Sequence, residues 1–369
     1  MTTAPEPHWI HSLPVASRTT AIGSLPHHNI DAALDYSFRL GIPFLPQIPI
    51  RNPWEYMIPQ ALEGLPGLQI EQDGSALVSL PVWESRAKEF GAKLDAALRT
   101  PGTLADFEPS TSVSSLWQPF LWELTERGMK LAKIQIAGPL TTQWALKART
   151  DASTTLAAER VPELSAQIYK LALVRSLAMV RRLKAERIQP VIFLDEPALY
   201  GWSLQNPKHL LGMQELKVHF QTLRKEGAVT GLHCCSNTDW AQMLGLPIDI
   251  LSLDTALSLE NLLAGGAEAL SRFLEKGGRL ALGIVPTARS MILHSLRARD
   301  LLESVEKTFE RTGQSRLLEP VLASALFTPA CGLAYHMVAD TEVSQELLQN
   351  VALEVERRLG RSPGKGPTG

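Results

Sequence analysis

Eight short apolar runs, spaced along the chain and bounded by Gly, Pro, Asp or Cys, constrain the fold more than any other feature. They are TTAIGS (19–24), FLPQIPI (44–50), KIQIAG (133–138), VIFLDEP (191–197), VTGLHC (229–234), DILSLDT (249–255), RLALGIV (279–285) and LFTPACG (326–332). Each has the length of a strand, and the set fits parallel strands buried on both faces. Most connections read as helices. Asn29 stands at the N-cap position of NIDAALDYSFRLG, and Gly41 at its stop. A longer helical stretch, STTLAAERVPELSAQIYKLALVRSLAMVRRLKAERI, leads into the fourth run, and TEVSQELLQNVALEVERRLG closes the chain. Eight strands alternating with helices predict an α/β fold, a (β/α)8 TIM barrel. A doubly wound open sheet is the alternative, but no GxGxxG follows the first run.

The connection over about 51–130 is too long for a plain strand-to-helix link and reads as a long insertion after the second strand. Within it, LQIEQDGSALVSL predicts a hairpin about Asp73 and Gly74. The insertion carries Trp54, Trp83, Trp117 and Trp122, which places it over one mouth of the barrel. Residues 1–17 read as a flexible N-terminal extension, 18–360 as a single barrel domain and 361–369 as a flexible tail.

Composition narrows the function classes. Hydrophobic residues make up 45% and charged residues 20%, which excludes a disordered chain. A net charge of −2 leaves no basic surplus for nucleic acid. No apolar run reaches the ~18 residues of a membrane helix. The three cysteines, Cys234, Cys235 and Cys331, are too few for a disulfide framework, and the N-terminus lacks a signal-peptide pattern. A reduced, cytoplasmic protein is expected.

In a barrel of this kind the chemistry gathers at the C-terminal ends of the strands. Gly23 and Ser24 end the first run, Asp195 and Glu196 the fourth, His233, Cys234 and Cys235 the fifth, Asp254 the sixth and Cys331 the eighth. All three cysteines fall on this one rim. Residues two apart on a strand share a face, so His233 and Cys235 point together and Cys234 points away. With Asp254 and Cys331 they form a zinc-type donor set, against the alternative of three small buried hydrophobes. Of the adjacent acids Asp195 and Glu196, alternation turns one inward and one outward, and one of the two can serve only a salt bridge or a cap. The backbone at Ser24 can present N–H groups to an anion, or simply make a tight turn. His27 and His28 read as solvated loop residues, and His336 as a satisfied surface histidine.

The segments AIGSLP (21–26), AGPLT (137–141), LDEPAL (194–199), HCC (233–235), DILSLDT (249–255) and TPACGL (328–333) occur in order along the whole barrel region. This ordered set resembles the catalytic half of cobalamin-independent methionine synthase. The chain is similar to a catalytic-domain-only, or "core", member of that family, within the barrel superfamily that also holds uroporphyrinogen decarboxylase. The resemblance implies a Zn2+ ion on His233, Cys235, Cys331 and Asp254. It assigns the amino group of homocysteine to Asp195, and its carboxylate to Ile22, Gly23 and Ser24. The implied reaction is methyl transfer to the homocysteine thiol, forming methionine. Asp254 stands where the family has Glu, and Gln47 or Ile48 where it has an acid after the second strand. Ala288 stands near the family's histidine proton donor after the seventh. Without that histidine, the implied donor is a methylated corrinoid protein rather than methyltetrahydrofolate. Two other readings stand beside this one: a metal-free uroporphyrinogen decarboxylase-like enzyme, and a non-catalytic relative that binds zinc and thiol.

Overall fold

A computed structural model describes residues 13–151, 154–200, 202, 205, 207–287 and 293–360. Most of the expected N-terminal extension, the tail 361–369 and Ala288 lie outside them. In chain order the strands are β1 Leu68–Ile70, β2 Ala76–Ser79, β3 Leu131–Ala137, β4 Lys147–Arg149, β5 Thr155–Ala157, β6 Gln189–Asp195, β7 Val229–Cys234, β8 Ile250–Asp254, β9 Arg279–Val285 and β10 Leu326–Pro329. The chain forms two compact units. One comprises the described residues of Met1–Phe44 and Gly231–Gly369, the other Leu45–Thr230.

The class is α/β, and six strands, β3 and β6 to β10, pair only in parallel. In the first unit the order is β10-β9-β8-β7, and in the second β6 pairs with β3. These are six of the eight predicted runs. The other two form no named strand, so an eight-stranded closed barrel is not what the ladders show. The first run contributes one parallel bridge, Thr19 to Phe327. Gly23, near its end, takes a positive φ of 26°. Residues 44–50 carry Pro46 and Pro49, which have no N–H to give a ladder. Their pairing with β3 includes a bond from Leu45 N–H to Lys133 O at 2.9 Å.

In the first unit, β9 is buried along its whole length, as expected of a covered parallel strand. Helices Thr255–Glu275, Ala298–Arg311, Ser315–Ser324 and Val338–Arg358 connect and follow the strands. The helix Ile30–Phe38 starts as predicted, with Asn29 Oδ1 accepting from Ala32 N–H at 2.9 Å. Gly41 serves a different purpose from a helix stop. A Cβ there would stand 2.0 Å from Ser17 O, so only glycine lets the two backbones approach this closely.

In the second unit a small sheet adds to the parallel pair, in the order β1-β2-β4-β5. The predicted hairpin is present: β1 and β2 are antiparallel, Gly74 has φ 81°, and Asp73 Oδ1 accepts from Ser75 N–H at 2.9 Å. The β4–β5 hairpin was not expected, since its residues read as the start of a helix. Asp151 Oδ1 accepts from Thr154 N–H at 2.9 Å and favours a turn, and the helix begins only at Pro162. That helix, Pro162–Ala185, packs against helix Pro207–Lys225 through a buried polar pair, His219 to Ser176 Oγ at 3.1 Å. No helix among the described residues is long and apolar enough to cross a membrane.

His219 makes this unit acid-sensitive. Burial pushes its imidazole down to about 3, from an unfolded value near 6.5. The unfolded chain therefore binds the extra proton first as pH falls. The stability from the neutral imidazole is full above about 6.5 and is lost between there and about 3, at up to ~1.4 kcal/mol per pH unit. Urea melts across this range should show the slope, and His219→Gln should flatten it by one proton.

Candidate metal centre

β7 brings the first two donors together by alternation. His233 and Cys235 face one side, while Cys234 points away, is buried and donates its thiol to Ser236 O at 3.2 Å. Cys331 arrives from just beyond β10. A ring nitrogen of His233 and the sulfurs of Cys235 and Cys331 lie within 4.8 Å of one another. Among the described residues this is the one His/Cys/Asp/Glu group so arranged.

The donor chemistry suits a metal. Cys235 is held well below the ordinary thiol value, first by the Cys331 thiol and then by the His233 imidazole beside it. A thiolate is the form that binds a metal. His233 is buried, and its Nδ1 lies 3.0 Å from Ser252 Oγ, while Nε2 is buried and makes no hydrogen bond. An orphaned buried nitrogen on a histidine clustered with two thiols fits a metal ion. For Nε2 to offer its lone pair, Nδ1 must keep the proton and donate it to Ser252. The β7–β8 register pairs His233 with Ser252 and so places this support. Ser252 was legible but overlooked: it precedes Asp254 by two residues and so shares its face.

Asp254 stands outside the three-residue cluster. Its Oδ1 caps helix Thr255–Glu275, accepting from Ala256 N–H at 2.8 Å and Leu257 N–H at 3.2 Å. Burial pushes its carboxyl up, the two amides oppose this, and the neighbouring Cys235 adds to the rise.

The Ile22-Gly23-Ser24 turn joins this centre directly. Leu333 N–H donates to Ser24 O at 2.7 Å, two residues past Cys331. His336 is not a surface residue, with its side chain 7% exposed. Its Nε2 donates to Thr287 O at 2.8 Å, and Nδ1 stands 3.7 Å from the buried Asp340. His27, expected to be solvated, is buried with its ring 6.0 Å from that of Tyr36.

The second unit holds the remaining sequence candidates. Asp195 ends β6 and is buried. Glu196 is a cap: its Oε1 accepts from Leu140 N–H at 3.0 Å and its Oε2 from Thr141 N–H at 2.7 Å, at the start of helix Pro139–Ala145. Gln47 is buried and donates to Gln60 Oε1 at 2.6 Å, and Ile48 is buried too. The acid in that stretch is Glu55, which accepts from Ile48 N–H at 2.8 Å and from Ser115 N–H at 3.0 Å. Lys133, unremarked in the sequence, lies fully buried on β3. It donates to Gln135 Oε1 at 2.7 Å and sits 4.6 Å over the Phe193 ring. Burial pushes its amine down to about 8, and the charge of Asp195 partly restores it. A charged residue in a strand buried on both faces is the signal that could have found it.

Two outcomes follow. Ser252→Ala should weaken zinc binding ~10- to 100-fold in chelator competition, because the His233 ring loses its orienting partner. Glu196→Gln should cost about 1–3 kcal/mol in denaturant melts, since an amide NH2 then confronts one of the two backbone donors.

No family model matches the chain, and no curated protein matches it.

Proposed function

We propose that the chain is a zinc-dependent methyltransferase that moves a methyl group to the thiol of homocysteine and forms methionine. The observation that carries this reading is the His233, Cys235 and Cys331 cluster, with the His233 Nε2 buried and unsatisfied. The ordered motifs along the sequence supply the substrate, and the eight-stranded barrel expected from them belongs with the same reading.

A zinc ion held there supplies the Lewis acidity that keeps an acceptor thiol deprotonated at neutral pH. The chain's own residues do the rest. Ser252 keeps the proton of His233 on Nδ1 and turns Nε2 toward the sulfurs. Cys235 enters the site as a thiolate. The Ser24 turn, tied to the Cys331 loop, is the place for the amino acid's carboxylate. Asp195, which the resemblance gives to the amino group, ends β6 in the second unit. In the transfer the acceptor sulfur forms a bond to the methyl carbon, and the thiol proton leaves to solvent. The methyl–cobalt bond of a methylated corrinoid protein breaks with both electrons left on cobalt. That donor needs no proton, which suits a chain lacking the family's histidine after its seventh strand.

The test is metal analysis followed by a donor screen. The purified protein should carry about one zinc per chain, and Cys331→Ser should lose it. Loaded protein should make methionine from homocysteine with methylcobalamin, and much more slowly or not at all with methyltetrahydrofolate. Absence of zinc after reconstitution would sink the reading and move the metal-free decarboxylase-like chain ahead, and zinc binding without methyl transfer from any donor would favour the non-catalytic relative.

A further inference from the structure

The loop that carries Cys331 is packed without slack on two sides. Gly332 follows Cys331, and a Cβ on it would lie 2.0 Å from Ser24 Oγ, 3.3 Å from Ser24 Cβ and 3.4 Å from Ile22 O. Non-bonded heavy atoms find their optimum near ~3.5–4.0 Å, so a methyl group there must push the Ser24 hydroxyl out of its place and press on Ser24 Cβ and Ile22 O. One residue further, the bond from Leu333 N–H to Ser24 O at 2.7 Å ties the same two segments by their backbones. On the other side stands Gly283 of β9. A Cβ there would lie 2.7 Å from Ala330 Cα, 2.7 Å from Leu253 O and 3.3 Å from Asp254 Cα. The Ala330–Leu333 loop is therefore held between the Ser24 turn and the ends of β8 and β9.

We propose that Gly332 is a positioning residue that couples the Ser24 turn to the metal ligand Cys331. Closely packed interiors transmit displacement rather than absorb it. A shift of the Ser24 turn moves the Cys331 sulfur, and a shift of Cys331 moves the turn. The inference rests on the metal reading above, but it concerns the geometry of this chain and not the reaction.

The experiment is a double-mutant cycle on the full chain, read with Co2+ in place of Zn2+. The readouts are the thiolate-to-cobalt charge-transfer band and chelator competition, alongside circular dichroism and thermal melts. Gly332→Ala should weaken Co2+ binding about tenfold or more and alter the band. The Gly332→Ala/Ser24→Ala pair removes the oxygen that the new Cβ meets. It should return to within about threefold of Ser24→Ala alone, a clear departure from additivity. If Gly332→Ala alone fails to fold, a folded, cobalt-binding double variant still supports the coupling. The proposal is overturned if Gly332→Ala binds like the natural chain, if the double variant stays as weak as Gly332→Ala, or if it too is unfolded. Failure of the natural chain to bind either metal is a different result. It removes the metal reading itself, and this coupling with it.

Discussion

The parallel register between β7 and β8 is the constraint on which the candidate site depends. It sets His233 opposite Ser252 and, through the next ladder, Asp254 opposite Gly283. Side chains alternate with a period of two, so a slip of one residue would turn His233 and Cys235 out and Cys234 in. The donor set is thus a consequence of backbone hydrogen bonding along a buried ladder. Cys331 needs only to be delivered by the turn after β10. The close approach at Gly283 and Gly332 does that, by letting three chain segments meet at one point.

The acids at the strand ends show how local backbone demand competes with chemistry. Glu196 and Asp254 both stand just where a new helix begins, and both give their oxygens to the free N–H groups there. Such groups attract carboxylates through both hydrogen bonding and the helix dipole. Asp195, one residue before Glu196, faces the other way and shares its neighbourhood with the charge of Lys133. Two adjacent acids therefore divide the work, one fastening a helix and one left within reach of a buried amine.

Much of this was legible in the sequence because it follows from period and breaker residues. Alternation separated Cys234 from His233 and Cys235, Asn29 marked its helix, and Asp73-Gly74 marked its hairpin. The misses have physical causes. Residues 19–24 and 44–50 are apolar enough for strands, but they make only isolated bridges, and hydrophobicity does not register the N–H groups that Pro46 and Pro49 lack. The β4–β5 hairpin was hidden by a helical period that begins only at Pro162. His336 and His27 read as surface residues because burial by distant segments leaves no trace in local sequence. Ser252 and Gly332 matter through partners far along the chain, His233 and Ser24, which only the folded backbone brings close.

The proline-bearing stretch beside β3 has a consequence for behaviour in solution. A parallel pair such as β3 and β6 ends in a row of amides and carbonyls that can recruit a strand from another molecule. Here the outer side of β3 is met by the stretch containing Leu45, which bonds to Lys133 O and accepts from Gln135 Nε2 at 2.9 Å. Pro46 and Pro49 then deny that stretch the regular donors a recruited strand would need. What disqualifies this stretch as a strand does not leave β3 open: Leu45 and Ile48, 1% and 0% exposed, are themselves buried, so the side of β3 they meet is closed to a second molecule without a ladder.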